Sequence, residues 1–258
     1  AGRTTLNGEG LQHQDGDSQL VANTIPNCVS YDPTYAFELA VIVCSGLERM
    51  YEKNENIFYY ITTMNELYTH PEMPADSEEG IIKGMYALKS VGEGDKQVQL
   101  MGSGTILREV EVAAQMLADD WGVKSDVWSV TSFNELAREA QAIDRVNRFS
   151  AEASAVPYIT QCLENTKGPV IVATDYMRNY AEQVRKYVPN RYEVLGTDGF
   201  GRSDSRAALR DFFEVDANYV VLASLKALVD EGEMDASVIA QAVEKYGINI
   251  NKPNPMTV

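Results

Sequence analysis

Val98-Gln99-Leu100-Met101-Gly102-Ser103-Gly104-Thr105-Ile106 is the stretch that decides how the chain folds. Val98–Met101 is short and largely apolar, as a buried strand is. Gly102-Ser103-Gly104 turns the chain, and a helix is expected from Ile106 to Trp121, with Val110, Ala113, Ala114 and Leu117 inward. Val127-Trp128-Ser129-Val130 then reads as the next strand. Strand, helix and strand in this order make a crossover unit, which joins parallel strands in a right-handed sense.

The alternation continues downstream. Helices are expected over Phe133 to about Arg148, Pro157–Asn165 and Tyr176–Tyr187. Strands are expected at Val170–Ala173 and Tyr192–Leu195. Helices Ser205–Phe213, Asp216–Gly232 and Asp235–Tyr246 close the chain, with Ser205, Asp216 and Asp235 as caps. The fold class is α/β, a mainly parallel sheet covered on both faces.

Upstream, Leu20–Tyr31 reads as a turn and a short strand. Asp32 is placed to cap a helix that starts at Pro33 and runs to about Lys53. Ile57–Thr62 is a continuous β-branched and aromatic run, the pattern of a central strand. Asn65 to Gly80 reads as loop, Ile81–Val91 as a poorly periodic segment, and Gly92–Asp95 as a turn. A linker is therefore expected over 76–95, between one domain at 1–75 and another at 96–258.

The chain of 258 residues has a net charge of −16 and is 45% hydrophobic. Such an acidic surface repels phosphate backbones and anionic lipids, which argues against nucleic-acid and membrane partners. No apolar run reaches the ~18–20 residues of a membrane span. Cys28, Cys44 and Cys162 form no CxxC pair, and Cys44 and Cys162 sit in apolar helical contexts as small buried residues. A reducing, cytoplasmic setting fits. Ala1 leads directly into loop-like sequence, so the chain is expected to begin inside a longer protein.

Gly2–Ser18 has neither helical nor strand period. Gly8, Gly10 and Gly16 give it backbone freedom, and His13, one of two histidines, sits among polar neighbours. A histidine titrates near neutrality and can donate or accept, so His13 is either a pocket residue or an exposed loop residue without a task. His70, beside Pro71 in an acidic loop, reads as solvated. Gly196-Thr197-Asp198-Gly199-Phe200-Gly201 departs from the ordered dinucleotide motif and reads as a structural turn, with Asp198, Arg202, Asp204 and Arg206 pairing locally. Gly102-Ser103-Gly104 could cradle an anion, but its surroundings are not basic. Asp119-Asp120 and Asp76/Glu78/Glu79 read as solvated faces, and no metal ligands are expected.

Several strings together resemble one family. They are Gly2–His13, Ile25–Pro33, Glu55–Thr62, Ser129–Phe133 and Leu195–Arg206. They resemble the bacterial homodimeric, thiamine-diphosphate-dependent first component of the pyruvate dehydrogenase complex. The likeness runs from residue 2 to near the C-terminus, and the chain looks like the C-terminal portion of that longer subunit. The resemblance implies the end of a pyrimidine-binding middle domain at 1–75 and a transketolase-type C-terminal domain at 96–258. It implies pyruvate as substrate, thiamine diphosphate and Mg²⁺ as cofactors held mostly outside this chain, a homodimer, and a dihydrolipoamide acetyltransferase partner. The segment alone is then expected to be inactive.

His13 matches the family's active-site histidine in G-L-Q-H, which lines the substrate pocket and binds or protonates pyruvate and its adduct. Downstream, the family commonly reads H-x-D-G-H-S, whereas Asp17 and Gln19 stand here, and no role carries over to them. Asp17 is expected to point away from the substrate. Asp198, Arg202 and Asp204 are expected to be structural. The competing readings are a non-catalytic dimerisation domain and another transketolase-family enzyme.

Overall fold

A computed structural model describes residues 2–149, 151 and 155–258. The large sheet has five strands: β3 (Met85–Val91), β4 (Gln97–Gly102), β5 (Lys124–Val130), β6 (Val170–Ala173) and β7 (Tyr192–Leu195). Their order is β3-β5-β4-β6-β7. All neighbours are parallel except β3, which runs antiparallel to β5. The expected mainly parallel α/β sheet is therefore present.

Period-two alternation assigns each strand's side chains to two cores. Val98 and Leu100 of β4 and Ile171 of β6 face α4 (Leu107–Trp121) and α9 (Ala217–Asp230). Met101, Val170 and Val172 face the opposite way, onto α5 (Phe133–Asn147), α6 (Tyr158–Leu163) and the α7 turn (Asn179–Glu182). Caps are as expected at two helices. Ser205 accepts from Ala208 N to start α8 (Arg206–Phe212), and Asp216 accepts from Tyr219 N to start α9. The Asp235 carboxylate accepts from Ser237 N at the start of α10 (Ser237–Lys245).

A second sheet contains only β1 (Cys28–Tyr31) and β2 (Phe58–Ile61), paired in parallel. Helix α2 (Ala36–Leu47) joins them and continues as a wider turn through Glu52. Glu38 ties this part to the large sheet. Its buried carboxylate accepts from Thr34 N at 2.6 Å, Tyr35 N at 2.9 Å, Tyr86 Oη at 2.7 Å and Ser129 Oγ at 2.6 Å. Burial pushes Glu38 up, and these four donors oppose that shift.

Several expectations need correction. Leu20–Tyr31 begins with a helix, α1 (Ser18–Asn23), not a turn, because buried Gln19 and Ala22 seat one face of it. The stretch 76–95 is not plain linker. It holds α3 (Glu78–Lys83), closed by Gly84 at φ +112°, and the edge strand β3. The amphipathic edge pattern of β3, with Met85 and Tyr86 buried and Lys89 and Ser90 exposed, hid it from a search for apolar runs. Tyr176–Tyr187 is not one helix, since α7 ends at Glu182 and a tighter turn covers Arg185–Tyr187. The Ile57–Thr62 run is not central, because β2 pairs only with β1 among the described residues. Asp32 does not cap α2. Tyr35 occupies the cap position and Glu38 supplies the capping carboxylate. Cys44 is exposed, because Ile42 and Gly46 take the inner face of α2, and Cys162 is half-buried, because Ile159 and Leu163 take the inner face of α6.

Candidate functional site

In an open parallel sheet, ligands collect outside the carboxyl ends of strands where the winding reverses. Here that point lies between β4 and β6. From β4 the chain crosses to β5 on one side, and it returns through α5 and α6 to β6 on the other. Two turns leave the sheet at this crevice, Ser103–Thr105 after β4 and Thr174–Tyr176 after β6. The opening loop of the chain fills it.

Asp175 fastens that loop. Its carboxylate accepts from Thr4 N at 2.9 Å and from Thr5 Oγ1 at 2.6 Å. Its carbonyl accepts from Arg3 N at 3.1 Å and from Thr197 Oγ1 at 2.9 Å. Burial pushes the Asp175 carboxyl up, and the bonds from Thr5 and Thr4 oppose this. Gly196–Gly201, read as a structural turn, is the second clamp. Arg3 Nη1 donates to Thr197 O at 2.7 Å and also to Gly199 O. Arg202 N donates to Gln14 Oε1 at 2.6 Å, and Gly8 N to Asp204 O at 2.9 Å. Arg206 Nε donates to Thr5 O at 2.8 Å. Asp198 pairs with Arg178 at 3.0 Å.

Between these clamps Leu11–His13 forms a single 3₁₀ turn, closed by His13 N donating to Gly10 O at 3.0 Å. His13 is exposed at this end of the sheet. The backbone behind it is fixed by Gly201, where a Cβ would come within 3.2 Å of Leu11 O and Gln14 Cβ. Asp17 is exposed, and Gln19 is buried with its amide donating to Tyr31 O at 3.2 Å. Gln19 thus serves to seat α1 on β1. His70 is exposed, and its Nδ1 accepts from Ala36 N at 3.1 Å at the start of α2. The structure does not bring His70 to the opening loop through any hydrogen bond among the described residues.

Sequence reasoning passed over an ion-pair cluster beside the loop. Glu66 lies between Arg210 at 2.7 Å and Arg108 at 2.8 Å, and Arg210 also pairs with Glu109 at 3.0 Å. Burial disfavours the Glu66 charge, but the bonds from Arg210 and Arg108 overrule it and lower its pKa to about 2. It also passed over Asp175 and the second carboxylate at this crevice, Asp32. A carboxylate directly after the all-apolar Val170–Ala173 strand was the available signal.

Among the described residues no group of three or more His, Cys, Asp or Glu could hold a metal ion. The buried carboxylates at the crevice are bonded to hydroxyls and backbone amides. Among the described residues no helix is long and apolar enough to cross a membrane.

Residues 1–71 match the family model for the pyruvate dehydrogenase E1 component middle domain, and residues 84–216 match that for the transketolase-like TK C-terminal domain. The chain is 59% identical to the pyruvate dehydrogenase E1 component of Pseudomonas aeruginosa, covering 99% of the chain and 29% of that protein. It is 57% identical to the protein of the same name from Escherichia coli K12, again over 99% of the chain and 29% of the relative. The chain thus spans less than a third of these relatives, at their C-terminal part. Solved transketolases share the fold. One from Leishmania mexicana superposes with a TM-score of 0.62 at 19% identity, over 89% of this chain and 29% of that one. One from Pichia stipitis gives 0.63 at 19% identity, over 91% and 30%. The second family model alone spans just over half of the chain, which therefore belongs to the transketolase-like C-terminal domain family, in the form found at the C-terminal part of pyruvate dehydrogenase E1 components.

Proposed function

We propose that the chain is the C-terminal part of an enzyme that oxidatively decarboxylates pyruvate with thiamine diphosphate and Mg²⁺ and passes the acetyl group to a lipoyl group of a dihydrolipoamide acetyltransferase. Residues 1–75 would belong to the middle domain and 96–258 to the C-terminal domain of a cytoplasmic homodimer. The cofactors would be held chiefly outside this chain. The observation that carries the reading is the clamped, exposed turn Leu11–His13 in a chain 59% identical to an E1 component. His13 is the one residue of the chain assigned a catalytic role. Its imidazole can hydrogen-bond or protonate the oxygen of a bound substrate. Clamping by Asp175, Arg3 and Gly201 holds the turn in place before substrate arrives, as positioned catalysis requires.

In the full-length protein, His13→Ala should lower pyruvate turnover by about a hundredfold, the lower range for a lost acid–base group. Affinity for thiamine diphosphate, read by calorimetry, should stay unchanged. Unchanged turnover would remove His13 from the mechanism. A second reading, an assembly unit without catalytic residues, draws on the exposed apolar side chains Val43, Leu47 and Tyr51 along α2 and its extension. It would gain if the variant kept both full activity and its dimeric mass in light scattering.

A further inference from the structure

The Gly196–Gly201 turn clamps the opening loop, and a second segment, residues 252–256, backs that turn. The root of the segment is Lys252. Its Nζ donates to Asp211 O and lies 3.6 Å from the Asp211 carboxylate and 3.7 Å from that of Glu214. The same ammonium sits 4.3 Å from the centre of the Tyr219 ring. One cation is thereby fixed at the corner between α8 and α9. The tip of the segment meets the turn. Gly199 holds φ +104°, and a Cβ there would lie 2.2 Å from Pro255 O, so only glycine lets the two backbones approach. Arg178 ties the tip to the same turn. Its N and Nε donate to Asp198 Oδ2 at 3.1 and 3.0 Å, and its Nη2 reaches Met256 Sδ at 3.3 Å.

Root and tip are separated by a cavity of about 280 Å³. Glu214 and Lys252 line it at one end, Asp198 and Met256 at the other, and Leu195 at the end of β7. The segment therefore spans a gap, and its position depends on its two ends. The turn passes this position on to the opening loop. Arg3 Nη1 donates to Thr197 O at 2.7 Å and also to Gly199 O. The Arg3 side chain lies against Gly16, where a Cβ would come within 2.3 Å of its Nε. Arg202 N donates to Gln14 Oε1 at 2.6 Å, and a Cβ on Gly201 would lie 3.2 Å from Leu11 O. Gly199 is bracketed, with Pro255 O on its Cα side and Arg3 on its carbonyl.

We infer that residues 252–256 are a strap that positions the Leu11–His13 turn, with Lys252 and Met256 as positioning residues for the His13 imidazole. A single 3₁₀ turn with no buried residue has no core of its own, so its place is set by what clamps it. Cutting the root of the strap lets Pro255 back away from Gly199. The turn then has room to shift, and Arg3 and Gln14 shift with the oxygen and the amide they bond. An imidazole moved by a fraction of an ångström loses its alignment on the substrate, which lowers turnover more than it lowers affinity. The strap's effect on turnover rests on the proposed role of His13, whereas its mechanical hold on the loop rests on these contacts alone.

Lys252→Met in the full-length protein keeps the apolar stem and removes the cation. Amide exchange read by mass spectrometry should rise several-fold over residues 8–14, while β4 and β6 exchange as in the wild type. Unchanged exchange over residues 8–14 overturns the strap whatever turnover does, and so does a rise spread evenly over the protein. Turnover of pyruvate should fall on the order of tenfold, below the hundredfold that a misplacement of about 1 Å can cost, with KM changed less. On a His13→Ala background the same substitution should change turnover by less than about twofold, because both act through one side chain. An undiminished effect on that background overturns the positioning role, as does wild-type turnover in Lys252→Met where His13→Ala is slow. Full turnover in His13→Ala, together with faster exchange over residues 8–14 in Lys252→Met, would strike the role of His13 and leave the strap's hold on the loop in place. Arg178→Met cuts the tip instead of the root and should give the same local exchange, which decides the matter should Lys252→Met not fold.

Discussion

Strand β4 has hydrogen-bonded neighbours on both edges and helices over both faces, so Leu100 and Met101 are wholly buried. Strand β2 has one neighbour among the described residues, and Phe58 at its start is 45% exposed. Both strands carry large apolar side chains, aliphatic and Met in β4 and mainly aromatic in β2. The difference lies in what surrounds them. The large sheet has five strands among the described residues and positions the candidate site through its strand ends. The small sheet is tied to it through Glu38, which accepts from Tyr86 and Ser129, and through Asp32 N, which donates to Thr131 O at 2.7 Å.

The largest expected effect tests the two-faced packing of the large sheet. Leu100→Ala should cost about 3–5 kcal/mol, since its contacts come from β-sheet, α4 and α9 and cannot easily collapse into the gap. Denaturant unfolding at constant slope would measure it. A cost below about 1 kcal/mol would mean that this core is looser than the two-faced packing implies.

Much of this large sheet was legible in the sequence. The runs at Val98, Val127 and Val170 are largely apolar because both faces are covered, and Tyr192–Leu195 alternates buried and half-buried residues at the other edge. The edge strand β3 was not legible, because an edge exposes one side and breaks the run with Lys89 and Ser90. The long helix from Tyr176 was not legible as a broken one, since side-chain periodicity does not reveal that Arg185–Tyr187 tightens. At the site, His13 was singled out by its polar, glycine-rich company and by the resemblance, and the structure leaves it exposed on a clamped turn. Asp32 and Asp175 were not, because their role depends on two distant strand ends converging. Asp32 even carried a misleading local signal, a good cap residue followed by Pro33.

The joint between the sheets should show itself in pH dependence. Burial raises Asp32 from 3.8 to about 7, against the opposing bond from Thr62. The folded protein therefore keeps a proton that the unfolded chain loses. Stability from this group is fully present below about pH 4 and is lost as pH rises to about 7, then stays level. The full span is at most on the order of 4 kcal/mol, from about 1.36 kcal/mol per unit. Asp175 and Glu38 are also raised by burial and add to the same slope. Glu66, lowered to about 2, acts oppositely and below this window. Asp32→Asn cannot titrate, so its stability should fall less between pH 4 and 7 than that of the wild type. A slope identical to wild type would place the titration elsewhere.

The smallest effect addresses the small sheet itself. Phe58 pairs in register with Cys28 at the open end of β2, and nearly half of it faces solvent. A ring in that position buries little area, so Phe58→Ala should cost less than about 1 kcal/mol in this chain, against about 3–5 for a fully buried ring. The measurement discriminates because the two positions differ in their surroundings. Were the variant of the full-length protein to lose about 3 kcal/mol or more, another segment or a second copy would have to cover β2 there. The run Phe58–Ile61 would then have been written for a central strand after all, and the contrast between the two sheets would belong to these residues alone.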